Sequence, residues 1–380
     1  MSNDTSRPGG IKKLLLLSVL AVLLLLACFI GHRPRPLIKV LERKELFNHG
    51  LEQTTFIVGR AKKQGICIRF VNPVQNWSCR AQIAGGCIAG TLETVESLCH
   101  RMNADVGINL SYFGHAFNQV ATGDLQGQLV SDGRLVKSMN TKYPRAGAMG
   151  IDAGNRLYFT NNLIPDIRLR FPDGDILQDV SINSLQWKNG TSVVLWGQAV
   201  GSWPPAPDGS ILLWCLCPES AGSFSIGREI NLIIESYGKP RRFNEREVAI
   251  LFPDGLSSQK LPQNSQITLT ISYPEPWNTC KEIGECGPFV YRNGSIVLPG
   301  GWNSTENVIG FGDNNEGDWI IIAVKDCNRR DLLAAMAQFG CRNFGLLDCG
   351  TSATVVVDGY QRFGISKCVG SGLLFFGKNK

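Results

Sequence analysis

Apolar residues in this chain fall mostly in short runs closed by Asp-Gly or Asn-Gly pairs, a pattern that predicts many strands joined by tight turns. The pairs are Asp132-Gly133, Asp173-Gly174, Asn189-Gly190, Asp208-Gly209, Asp254-Gly255 and Asn293-Gly294. Phe56-Ile57-Val58, Ile66-Cys67-Ile68-Arg69-Phe70 and Leu157-Tyr158-Phe159 read as strands, and Val130-Ser131-Asp132-Gly133-Arg134-Leu135-Val136 as the clearest hairpin. Helical spacing is rare. Residues 91–102 put Val95, Leu98 and Cys99 on one face, with Thr91 or Thr94 near the start. Residues 331–340 are amphipathic, with Asn328 or Asp326 as N-cap and Gly340 just past the end. The fold class that follows is α+β: strand-rich mixed sheets with few helices, behind an N-terminal apolar helix.

That helix is the uninterrupted apolar or small run from Leu14 to Ile30, which follows Lys12 and Lys13. It divides the chain into a tail (1–13), a transmembrane anchor or signal segment (14–31), a charged, Pro-containing stalk (32–54) and a folded domain (55–380). Leu25-Leu26-Ala27-Cys28 is also similar to a lipoprotein signal, so an anchor, a lipidated segment and a cleaved signal all stay open. Arg33, Arg35, Lys39, Arg43 and Lys44 outnumber Arg7, Lys12 and Lys13 and favour a cytoplasmic domain. The cysteines favour the other side. Of thirteen, twelve lie beyond Cys28, and an even number behind an export signal suits disulfides in an oxidising compartment. Long domains translocate largely regardless of flanking charge. The expectation is therefore a membrane-anchored, extracytoplasmic protein, whether periplasmic, extracellular or lumenal, touching the bilayer through residues 14–31.

Charge and motifs remove several function classes. The formal charge of +6 is dispersed along the chain, so no nucleic-acid partner is expected. Cys215-Leu216-Cys217 has the wrong spacing for zinc and no Cys-x-x-Cys occurs, so no metal is expected. No Gly-x-Ser-x-Gly, Walker or dinucleotide fingerprint appears, so no cofactor is expected. Asn-x-Ser/Thr acceptors, among them those at Asn76, Asn189, Asn293 and Asn303, are short enough to arise by chance, and the one that begins at Asn109 is read as accidental.

The candidate chemistry lies at Leu346-Leu347-Asp348-Cys349-Gly350-Thr351-Ser352-Ala353, between one buried strand and the next, Val355-Val356-Val357, which an Asp358-Gly359 turn closes. A carboxylate beside hydroxyls and free backbone N–H groups can hold a reacting centre and an oxyanion. This stretch resembles the C-terminal signature of the phosphodiester glycosidase family, Asn-Leu-Asp-Gly-Gly-Gly-Ser-Ser behind a helix that ends in Gly. A second stretch, Gly107-Ile108-Asn109-Leu110-Ser111-Tyr112-Phe113, resembles the family's Gly-Ile-Asn-Gly-Gly-Phe-Phe, and Gly284-Glu285-Cys286-Gly287-Pro288 resembles its Gly-Pro segment. Arg145 lies in the region similar to the family's Arg-containing strand.

The resemblance implies a hydrolase that cleaves a sugar-1-phosphodiester, of the N-acetylglucosamine type, at the anomeric carbon. Asp348 would be catalytic, and Asn109, Arg145, Gly350, Thr351 and Ser352 would bind a carbohydrate or sugar-phosphate substrate. A leaving phosphate monoester needs little protonation, so one well-placed carboxylate could serve. At 306, where the family carries Arg, the chain has Glu306, which leaves Arg145 or Arg342 to hold a phosphate. That reversal motivates the alternative: a carbohydrate-binding or envelope polysaccharide-assembly protein without turnover. His115 is a loop histidine, a general base or a metal ligand, with no second His at ligand spacing. Cys349 is expected in a disulfide, with Cys341 or Cys368 as its partner, and with Cys327 these should tie the Asp348 loop to its surroundings.

Overall fold

The computed structural model describes residues 38–47, 50–88, 91–114, 123–138, 147–161, 163–178, 180–184, 192–196, 208–218, 224–244, 246–253, 261–287, 289–297 and 305–378. They belong to one unit, Ile38–Lys380. The apolar run 14–31 lies outside the described residues. Among these, no helix is long and apolar enough to cross a membrane.

Strand Trp319–Cys327 opens with six buried residues in succession, a pattern that requires cover on both faces. It lies inside an eight-stranded sheet ordered Ile38–Phe47, Leu51–Val58, Lys63–Phe70, Trp319–Cys327, Glu306–Asn314, Cys341–Leu346, Phe289–Arg292, Ser295–Ile296. One face carries Val58, Val308, Ile322 and Val324 against Leu332, Ala335 and Met336 of helix Arg329–Gln338. The other face carries Phe70, Phe311 and Trp319 against Phe375 of a second sheet, with the Phe70 and Phe375 rings 4.5 Å apart. This second sheet is ordered Tyr360–Phe363, Val355–Val357, Val106–Asn109, Ser371–Gly377, Trp77–Ile83. Helix Val95–Met102 packs on it across Gly107, where a Cβ would stand 2.2 Å from the Cys99 Sγ.

A third sheet couples two cores. It is ordered Leu157–Asn161, Gly147–Asp152, Cys280–Cys286, Leu129–Ser131, Arg134–Lys137. Strand alternation sends Leu129, Met149 and Cys286 into the core just described. Val130, Ala148 and Ile283 go into another, built on a further eight-stranded sheet that includes Ile211–Leu216, Glu229–Tyr237 and Glu247–Phe252.

The protein is thus mostly β rather than α+β. Among the described residues the α-helices are Pro73–Asn76, Val95–Met102 and Arg329–Gln338, because helical spacing occurs in few places. The expected caps form: Thr94 Oγ1 accepts from the Ser97 N–H at 3.1 Å, Asn328 Oδ1 from the Asp331 N–H at 3.0 Å, and Gly340 has φ +67°. Asp132-Gly133, Asn293-Gly294 and Asp358-Gly359 all have positive φ at both positions, as two-residue hairpin turns require. Asn189-Gly190 and Asp254-Gly255 lie outside the described residues.

Two expectations need correction. From Ile38 onward the segment assigned to a stalk forms an edge strand and half of its neighbour, since Leu51–Val58 pairs along its whole length with Lys63–Phe70 and buries Leu51, Gln53 and Thr54. Among the described residues Cys67, Cys79, Cys99, Cys215, Cys280, Cys286, Cys327, Cys341, Cys349 and Cys368 are free thiols. Those near the Asp348 loop are engaged otherwise: Cys327 Sγ donates to the Asn328 carbonyl at 3.2 Å and Cys349 Sγ to the Leu347 carbonyl at 3.3 Å.

Candidate active site

Asp348 lies where the chain leaves the first sheet for the second, between Cys341–Leu346 and Val355–Val357. The start of this crossing is fixed by backbone. The Leu347 N–H donates to the Ile309 carbonyl at 3.0 Å, the Asp348 N–H to the Leu110 carbonyl at 3.1 Å, and the Gly287 N–H to the Leu346 carbonyl at 2.5 Å. Three sheets therefore converge on one turn of chain.

Asn109, 1% exposed, does what the disulfides were expected to do. Its Nδ2 donates to the Asp348 carbonyl at 2.6 Å and its Oδ1 accepts from the Thr354 N–H at 2.9 Å, so one amide spans the loop. It positions the loop, and both of its described bonds are to backbone. Asn109→Leu keeps the bulk but strands a buried carbonyl and a buried N–H, at a cost of roughly 2–4 kcal/mol. Urea unfolding measures this directly, and a loss below about 1 kcal/mol would contradict the clamp.

The Asp348 carboxyl is half-buried. Burial raises its pKa to about 6 and the acidic Glu306 adds to the rise, while the Ser352 hydroxyl, donating to it, and the Lys367 charge oppose it. Ser352 is buried, whereas Thr351 is exposed and accepts from Lys367 Nζ at 2.5 Å. Gly350 has φ +69°, and a Cβ there would stand 3.4 Å from Glu306 Oε2, so Glu306 does lie against this loop. Arg342 instead sits near Asp313, at the far end of its strand. Arg145 and His115 lie outside the described residues. Cys349 is no thiolate at neutral pH, because burial holds its pKa well above the ordinary thiol value.

The residue that sequence reasoning missed is Glu285. It is 3% exposed on strand Cys280–Cys286, and its pKa is pushed up to about 8, first by burial and then by the charge of Asp348. The Gly127 N–H and Lys137 act in the opposite direction. The repulsion falls on Glu285 because it is still protonated while Asp348 ionises. Tyr112 belongs to the same group: burial and the neighbouring Cys349, Asp348 and Glu285 raise its phenol well above the ordinary value. The available signal was a lone carboxylate inside Ile283-Gly284-Glu285-Cys286, a run otherwise apolar or small.

Beneath lies a buried ion pair, Lys137 Nζ with Asp124 Oδ1, 0% and 1% exposed. A separate cavity of about 430 Å³, lined by Arg80, Asp132, Asp152, Lys281 and Glu282 among others, includes none of the residues of the Asp348 loop. Two of its acids are spent internally: Glu282 accepts from the Ala81 and Asp132 N–H groups, and Asp152 from Arg156 and Tyr158. Among the described residues no cluster of side chains could hold a metal ion.

No family model matches this chain, and no curated protein sequence matches it. Solved structures do. A hypothetical protein from Synechocystis superposes with a TM-score of 0.70 at 14% identity, over 91% of this chain and 64% of that one. This chain therefore spans less than two thirds of that protein. A protein from Burkholderia pseudomallei K96243, described as a candidate exported protein, gives 0.61 at 14% identity over 83% and 74%. The zebrafish N-acetylglucosamine-1-phosphodiester alpha-N-acetylglucosaminidase catalytic domain gives 0.44 at 12% identity over 91% and 84%, too low a score to carry an argument. What the first two likenesses establish is a shared fold.

Proposed function

We propose that this protein hydrolyses a bond to the anomeric carbon of a sugar, with Asp348 as the anion facing the cationic centre that develops there. The supporting observation is the pair of carboxyls whose surroundings drive their proton affinities apart, Asp348 at about 6 and Glu285 at about 8. At pH 7 such a pair is one base and one acid, as glycoside cleavage uses them. Asn109 holds the loop, Ser352 orients Asp348, and Tyr112 brings a phenol to the same group. The sequence resemblance adds a finer reading, a sugar-1-phosphodiester substrate. Lys367 with Thr351 would then meet the phosphate, in the place first given to Arg145 or Arg342. Export and anchoring through residues 14–31 belong to this proposal and rest on the apolar run.

Glu306 favours a second reading, a sugar-binding or polysaccharide-assembly protein without turnover, because it puts negative charge where a phosphate would need a cation. Turnover decides between them. The full chain, incubated with a panel of sugar phosphodiesters and O-glycosides, should release free sugar with a bell-shaped pH profile. The rate should rise through about pH 6 as Asp348 ionises and fall through about pH 8 as Glu285 loses its proton. Glycan binding with no sugar released at any pH would select the second reading.

A further inference from the structure

The nature of the leaving group rests on the hydrolase reading above, and Glu285 decides it. We infer that the bond this site breaks is an ordinary O-glycosidic bond, whose alcohol leaving group takes its proton from Glu285, rather than a sugar phosphodiester.

A phosphate monoester departs as a stable anion and needs little protonation, whereas a sugar alkoxide is a poor leaving group and needs an acid. Glu285 is built as that acid. Its Oε2 is buried and has no hydrogen-bond partner, while the carboxyl accepts one bond, from the Gly127 N–H. A carboxyl whose second oxygen meets no internal acceptor keeps its proton for an incoming one. The space it occupies is made for it: a Cβ on Gly127 would stand 2.3 Å from both the Cβ and Oε2 of Glu285. A single-carboxylate phosphodiester mechanism has no use for a buried neutral acid beside its anion, and an unused one costs stability.

The charges around the loop agree. Asp348 feels a second acid in Glu306 and, among the described residues, one lysine in Lys367. An added phosphate would be a further negative group, while a neutral sugar would meet no such repulsion. The step balances. The C1–O bond breaks with Asp348 stabilising C1, the Glu285 proton goes to the departing oxygen, and water supplies hydroxide to C1 and returns a proton to Glu285.

The test compares Glu285→Gln with the full wild-type chain on three substrates of one sugar: an alkyl glycoside, a dinitrophenyl glycoside and a methyl phosphodiester. The expected loss in kcat is ~10²–10⁴-fold on the alkyl glycoside and under about threefold on the other two, whose leaving groups need no proton. Wild type should also prefer the alkyl glycoside to the phosphodiester. Equal losses on all three, or phosphodiester as the preferred substrate with Glu285→Gln unimpaired, would overturn the inference and leave the hydrolase reading standing. No turnover on any substrate would remove both. Difference infrared spectroscopy supplies a readout independent of turnover: a protonated carboxyl band present at pH 7 in wild type and missing in Glu285→Gln. If that band is unchanged by the substitution, Glu285 is not the acid.

Discussion

Asp348→Asn is expected to lower turnover by about 10³-fold or more while making the protein more stable at neutral pH. The activity loss follows from removing the negative charge that faces the anomeric carbon. The stability gain follows from proton linkage. Folding raises the Asp348 pKa from 3.8 to about 6, so the folded state favours its acid form. That contribution is fully present below the unfolded value and is lost as the pH rises through about 6; at pH 7 the ionised group costs roughly 3 kcal/mol. Asn carries no such cost. Urea melts should show the variant gaining up to about 3 kcal/mol at pH 7 and close to nothing at pH 3.5. Equal gains at both pH values would mean the effect is packing, and retained turnover would remove Asp348 from the chemistry.

Lys137→Met should lose about 3–5 kcal/mol, the largest loss expected from a single change away from the reacting centre. Lys137 and Asp124 are 0% and 1% exposed, and Asp124 Oδ2 already lacks a partner. Burial raises the Asp124 pKa, against the pull of Lys137, so taking away the cation leaves either a buried anion or a proton that must be held at neutral pH. Lys137→Met combined with Asp124→Leu should recover most of the loss, because replacing both partners with apolar groups of similar size is often neutral. If the single variant melts like wild type, the pair is solvated and the interior beneath the site is wetter than described.

The sequence made the local features readable and left most of the distant ones hidden. Asp-Gly and Asn-Gly turns, the Thr94 and Asn328 caps and the Gly340 stop are set within a few residues and could be read directly. Asn109 and Asp348, 239 positions apart, were brought together only through a resemblance of motifs, which offered Asn109 as a substrate-binding and positioning group but gave no sign that its amide would clamp the loop backbone. Glu285 escaped because, among glycines, it reads as loop, whereas it occupies a strand buried on both faces. Lys367 and the Lys137–Asp124 pair gave no signal, since an isolated charge at a strand end is normally solvated. The cysteines misled through their count: an even number says nothing about whether two thiols point at each other.

The first strand has one more consequence, for how this protein stays dispersed. Ile38–Phe47 is largely exposed and carries Lys39, Glu42, Arg43, Lys44 and Glu45 at the outer edge of the eight-stranded sheet. Charges of both signs on a border strand discourage another chain from adding itself to the ladder. Behind it, Leu51–Val58 reads Leu-Glu-Gln-Thr-Thr-Phe-Ile-Val, with a single charge and four of its eight residues apolar. A chain begun at Thr55, where composition alone would start the domain, would lack this guard and present half of that second strand to its neighbours. The charged edge is thus a barrier against self-association, and it belongs to the smallest unit that should remain soluble at high concentration.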